Sequence, residues 1–186
     1  MRIIAGSAKG RKLITPKNYD VRPTLDRVKE SLFSMIQNYI ADSVVVDLFA
    51  GTGNLGIEAL SRGAKTAYFV DNNRKSIDMI EQNLIKTKLK ENAVILKADI
   101  IIGIEKLRFK NIKADLIFAD PPYVNENILL LLHKISDLVI LSVDGLLILE
   151  HDKKYSIPTV VGNLVQWKKN EYGNTSITIF RLKEED

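Results

Sequence analysis

Val44-Val45-Val46-Asp47-Leu48-Phe49-Ala50-Gly51-Thr52-Gly53-Asn54-Leu55-Gly56 is the stretch that decides the fold. A short apolar run ends in a carboxylate, and three glycines follow at G-x-G-x-x-G spacing. Continuous apolar runs belong to strands buried on both faces, as in parallel sheets. Glycines at that spacing allow a tight strand-to-helix turn and let a ligand approach the main chain closely. Residues 54–62 then read as a helix, with Gly63 as its C-cap.

Working outward, the alternation continues. Ala67-Tyr68-Phe69-Val70, Val94-Ile95-Leu96, Leu116-Ile117-Phe118-Ala119 and Leu146-Leu147-Ile148-Leu149 read as further strands. Helical periodicity fills 74–89, 101–107 and 126–138 between them. Strands alternating with helices imply a doubly wound α/β fold. Before the first strand, Leu25, Val28, Leu32, Ile36 and Tyr39 predict an amphipathic helix over 24–40. Ile3-Ile4 and Lys12-Leu13-Ile14 flank the Gly6–Gly10 turn region as a small hairpin. After the fifth strand, 164–169 and 176–182 read as an antiparallel hairpin around Tyr172-Gly173-Asn174.

Charge is unevenly spread. Residues 1–30 hold eight basic and three acidic side chains, an excess of five, while the whole chain carries only +4. A basic front on a near-neutral body suggests a polyanion-binding arm, with a solvated basic surface as the alternative. Cysteine is absent, which excludes disulfides and thiolate metal sites. His133 and His151 stand 18 positions apart, without ligand-type spacing, so no metal is expected. No apolar run approaches the length of a membrane span, and no signal-peptide core follows the N-terminus, so a cytoplasmic location is the default.

The glycine spacing alone fits a dinucleotide as well as other nucleotides. Asp47 narrows the choice. A carboxylate at the end of the first strand repels a pyrophosphate and favours a cationic ligand, such as the amino group and sulfonium of S-adenosylmethionine. Asp71 follows Gly51 by 20 residues and ends the second strand, where it can accept from ribose hydroxyls. Asp99, just after the third strand, suits either an adenine amine or the N-cap of the next helix.

Asp120-Pro121-Pro122-Tyr123 follows the fourth strand directly. Two prolines fix φ twice and remove two donors, leaving a rigid row of acceptors. Such a row suits a planar amine with two N–H groups, and Tyr123 offers a face for stacking a base. Acceptors on both hydrogens of an exocyclic base amine would free its lone pair for attack on a methyl group. The base would have to be unpaired or flipped.

The combination resembles the class I, Rossmann-like methyltransferases of exocyclic amines. Ile4-Ala5-Gly6, Lys9-Gly10-Arg11-Lys12-Leu13, Arg22-Pro23-Thr24, Asp26-Arg27-Val28-Lys29-Glu30 and Leu32-Phe33 narrow the resemblance to the bacterial RsmD family. That family makes N2-methylguanine at one site in small-subunit (16S) ribosomal RNA. The match runs from residue 2 to about 182.

The resemblance implies a mostly parallel seven-stranded sheet with the antiparallel C-terminal hairpin. It implies a basic RNA-binding extension, 1–23, on a methyltransferase domain, 24–186. S-adenosylmethionine would meet Asp47, Phe49, Gly51, Gly53, Asn54 and Gly56 through its methionine part. Asp71 with Asn72 would hold the ribose, Asp99 with Ile100 the adenine, and Arg22 and Thr24 would border the site. Asp120, Pro121, Pro122 and Tyr123 would bind the target amine. Arg2, Lys9, Arg11 and Lys12 would meet RNA phosphates, in ribosomal RNA within a small subunit or assembly intermediate, with the enzyme acting as a monomer. An adenine-N6 methyltransferase is the alternative with the same amine chemistry, and a nicotinamide oxidoreductase or a non-catalytic RNA-binding module is the alternative from another class. His151, between Glu150 and Asp152 at the end of the fifth strand, is expected to be structural, and Trp167 to pack.

Overall fold

A computed structural model describes residues 1–16, 23–121 and 125–184; side chains of 23–25 and 125–127 lie outside the description. Helix α1 (Pro23–Met35) leads into β1 (Val44–Leu48), α2 (Asn54–Ser61), β2 (Thr66–Asp71), α3 (Arg74–Thr87) and β3 (Ala93–Lys97). Then come α4 (Ile100–Phe109), β4 (Ala114–Ala119), α5 (Asn125–Leu138), β5 (Leu141–Asp152), β6 (Val160–Val161), β7 (Leu164–Tyr172) and β8 (Thr175–Leu182).

These strands form one sheet in the order β3-β2-β1-β4-β5-β8-β7-β6. Pairings from β3 through β5 are parallel, and β8, β7 and β6 join antiparallel. The sheet therefore has eight strands where seven were expected. The extra one, β6, is two residues long, too short to leave a sequence pattern. Chain order reverses at β1, whose neighbours are β2 and β4. Open α/β sheets bind ligands outside the carboxyl ends of strands at such a switch point.

Strand residues alternate between two cores. Val45, Phe69, Leu116, Phe118, Ile148, Ile177 and Ile179 face α1, α2 and α3. Val46, Leu48, Val70, Ile117, Leu147, Leu149 and Phe180 face α4 and α5. Phe33 of α1 stacks tilted on Phe118 at 5.6 Å, and the Arg62 guanidinium lies 4.7 Å over the Phe33 ring. Trp167 packs edge-on against Tyr39, centroids 6.1 Å apart, as expected of a packing residue.

The first helix ends earlier than its periodicity suggested. The α-helix stops at Met35 and a 3₁₀ turn covers Gln37–Tyr39. Both geometries keep Ile36 and Ile40 buried, so apolar spacing alone does not distinguish them. The N-terminal hairpin reduces to a single antiparallel bridge, Arg2 with Lys12, and is seated in the first core by Ile3, Ala8 and Leu13. Glu58, fully buried on α2, accepts from the Ile4 and Ala5 N–H groups at 2.8 and 3.0 Å and pairs with Lys29 and Arg62. A buried carboxylate with that many donors offsets its lost hydration. No helix is long and apolar enough to cross a membrane, among the described residues.

Candidate active site

At the carboxyl ends of β1, β4 and β5 a cavity of about 380 Å³ opens on the α1–α3 side of the sheet. That volume lies in the range of small-molecule sites. Asp47, Phe49, Ala50, Gly51, Thr52 and Asn54 line it from the glycine loop, Asp120 from β4, and Glu150 from β5. Met1, Pro16, Lys29, Ser76, Met79, Tyr172 and Thr175 contribute to the rest of the wall.

The loop adopts its shape because several residues take up left-handed backbone. Phe49 has φ 57°, Gly51 56° and Gly53 75°. Glycine tolerates this, whereas Phe49 does so at a cost that is typical of residues held at ligand sites. Gly56 is required for a different reason: a Cβ there would lie 2.4 Å from Phe69 Cε1, so the start of α2 could not pack on β2. The Gly56 N–H donates to Asp47 Oδ2 at 2.8 Å, which ties the helix start to the end of β1.

Asp71 braces the same turn. Its Oδ2 accepts from the Gly51 N–H at 2.9 Å and its Oδ1 from the Asn73 N–H at 2.8 Å. Asn72 is exposed. Asp99 is the N-cap of α4, accepting from the Ile101 N–H at 3.0 Å, and Ile100 is buried under that helix. Among the described residues lining the cavity, Gly53, Gly56, Asp71, Asn72, Asp99 and Ile100 are absent. Pro121 is buried. Thr24 lies in α1, its side chain outside the description; Arg22, Pro122 and Tyr123 lie outside the described residues altogether.

Electrostatically the site is a row of carboxylates. Burial pushes Asp47 up to about 8, against the Gly56 hydrogen bond, with the charges of Asp120 and Asp71 adding to the rise. Asp120 is open to solvent through the cavity, yet protein surrounds it on most sides, and that lost hydration raises it to about 6. Burial, then the Asp120 charge, raises Glu150 to about 8. Lys29 does not neutralise them. Its ammonium is spent on Glu58 at 3.0 Å, the Arg2 carbonyl at 2.6 Å and Asn54 Oδ1 at 2.7 Å. A sulfonium or ammonium placed beside Asp47 would favour its ionised form and offset the burial that otherwise keeps it protonated.

Sequence reasoning left Glu150 and Lys29 off the site. Glu150 was visible only as a neighbour of His151, which is itself buried and bonded to Thr178 Oγ1 at 2.9 Å and the Asp152 carbonyl at 3.0 Å. Strand register, not spacing, reveals Glu150. Lys29 looked like one charge among the many of the basic front.

A sheet running β3-β2-β1-β4-β5 in parallel and closed by an antiparallel pair has the Rossmann-like fold of class I methyltransferases. The solved structure of yhhF of Escherichia coli superposes with TM-score 0.87 at 29% identity, covering 100% of this chain and 99% of that one. The family described as "Conserved hypothetical protein 95" matches residues 1–181, and the chain belongs to it; this is the RsmD family. Among relatives, Bacillus subtilis "Putative rRNA methyltransferase YlbH" is 39% identical over 98% of this chain and 100% of its own length. The "Ribosomal RNA small subunit methyltransferase D" of Escherichia coli (strain K12) is 30% identical over 97% of this chain and 89% of its own.

Proposed function

We propose that this chain is an S-adenosylmethionine-dependent methyltransferase that forms N2-methylguanine at one site in small-subunit ribosomal RNA, acting in the cytoplasm as a monomer. One observation carries the reading: the glycine loop after β1 and Asp120 at the end of β4 border the same cavity. The names of the relatives support the ribosomal RNA substrate.

The residues lining the cavity fit the methionine part of the cofactor. Asp47 and the backbone of 49–52, with Asn54, would hold its methionine part. Asp71 with Asn72 would hold the ribose and Asp99 with Ile100 the adenine, beside Arg22 and Thr24. When bound, the cofactor supplies an electrophilic methyl group on a sulfonium. The chain supplies position. Asp120, with the proline turn beside it, would accept from the target amine and orient its lone pair, and Tyr123 would stack the base. Asp120, with its pKa near 6, is suited to take up the proton the nitrogen releases. Residues 1–23, carrying Arg2, Lys9, Arg11 and Lys12, would form the RNA-binding extension of a catalytic domain spanning 24–186.

Recombinant protein with labelled cofactor is expected to label unmethylated small-subunit RNA or subunits, with N2-methylguanosine as the product on nucleoside analysis. N6-methyladenosine would move the assignment to adenine, and absence of label would overturn it. Asp120→Ala is expected to lower kcat by about 10³-fold while cofactor affinity changes little, as for loss of a group used mainly in the transition state.

A further inference from the structure

β5 outruns its parallel partner. β4 ends at Ala119, paired with Leu149, so the next residues, Asp120 and Glu150, stand side by side on the face that lines the cavity. On its other flank Glu150 pairs with Ile177 of β8, so the sheet rather than a loop fixes its backbone. Among the described residues, neither carboxylate takes part in an ion pair or a side-chain hydrogen bond. Two adjacent acceptors therefore face the space where a base would enter.

We propose that Glu150 reads the base: its carboxylate accepts the N1–H and one N2–H of the target guanine, leaving the other N2–H to Asp120. This rests on the methyltransferase reading above and adds the selection of guanine. Flipped bases are read along their Watson–Crick edge. Guanine alone among the RNA bases carries two neighbouring donor groups there. Adenine and cytosine would each bring a ring-nitrogen lone pair against the carboxylate, and uracil has no amine. An unmatched polar contact, once the base has displaced the water around it, is what makes discrimination steep. The N1–H also stabilises ionised Glu150, opposing the burial and the Asp120 charge that otherwise raise it.

The test starts with wild-type protein, which maps the methylated guanine and then acts on RNA carrying 2-aminopurine at that position. 2-Aminopurine keeps the amine but lacks N1–H. Wild type is expected to methylate guanine at least about 100-fold faster than 2-aminopurine. In Glu150→Ala that ratio should fall to within about threefold, with S-adenosylmethionine affinity unchanged by calorimetry, whereas Glu150→Asp should keep most of the discrimination. A purely structural role would slow both bases alike. A ratio in Glu150→Ala equal to wild type, or a wild type that does not discriminate, overturns the assignment of Glu150. Failure of wild type to methylate any guanine overturns the functional reading beneath it.

Discussion

Asp47 keeps its proton up to about pH 8 because the end of β1 gives its charge almost no water. The sign of the pH effect follows. A carboxylate whose folded pKa is raised contributes stability below its unfolded pKa, near 4, and loses it as pH climbs through the folded value. Between pH 6 and 9 the unliganded protein is thus forced to ionise a buried group. Asp47→Asn avoids this and can still accept from the Gly56 N–H. Its melting temperature is expected to gain on wild type as pH rises from 6 to 9. A cation prefers the ionised form, so S-adenosylmethionine affinity of wild type should rise over the same window. The variant should bind about 10- to 100-fold more weakly at pH 9, roughly 1.4–2.8 kcal/mol, and with a flatter profile. Calorimetric titrations at pH 6, 7.5 and 9, taken as the ratio of variant to wild type, cancel the ligand's own titration. Equal affinities at pH 9 would remove Asp47 from the site.

At the scale of elements, the turn of the N-terminal hairpin is held by the end of α2. The Ser7 N–H donates to the Ser61 carbonyl at 2.7 Å, the Ala8 N–H to Ser61 Oγ at 2.9 Å, and that hydroxyl donates to the Ala5 carbonyl at 2.6 Å. Gly6 makes the approach possible: it has φ 81°, and a Cβ would sit 1.7 Å from the Ser61 carbonyl oxygen. Gly6→Ala is therefore expected to cost about 2 kcal/mol or more and lower the melting temperature by several degrees, because backbone, not a flexible side chain, stands in the way. A variant melting like wild type would mean the hairpin is not clamped. Legibility varied for physical reasons at this scale. β1, β2 and β4 declared themselves through unbroken apolar runs. The first half of β5 did not, because Ser142, Asp144 and Gly145 interrupt its pattern beside the irregular pairing with β4 between Ala114 and Leu116. In the site, Asp47 and Asp120 were readable because each ends an apolar run. Glu150 also follows an apolar run, Leu146–Leu149, but no glycine spacing or double proline flanks it and β5 continues through it to Asp152, so its meaning depends on which strand lies next to it.

For the whole molecule, charge and fold divide the labour. Lys9 and Lys12 are exposed on the hairpin, and Arg2 is exposed while near Asp26 at 3.4 Å. Arg11 instead donates to the Lys86 carbonyl at 2.6 Å, which ties the hairpin to the end of α3. Phosphate contacts release counterions, so RNA affinity should fall with salt, and each of Lys9→Ala and Lys12→Ala should reduce the log–log slope by roughly 0.7–0.9. Arg11→Ala should lower thermal stability as well, which separates a tie from a contact. Binding isotherms between 50 and 200 mM salt check both, and an unchanged slope in the lysine variants would remove the hairpin from the RNA surface.

The clamp on the hairpin also bears on the order of assembly. Ile4 and Ala5 wait for Glu58, 54 and 53 residues away, and the Ile14 N–H waits for Asn83, 69 residues away. Closing such long loops costs entropy before any contact repays it. During synthesis the basic front therefore leaves the ribosome well before its seat exists, and it becomes part of the fold only after α2 and α3 have emerged.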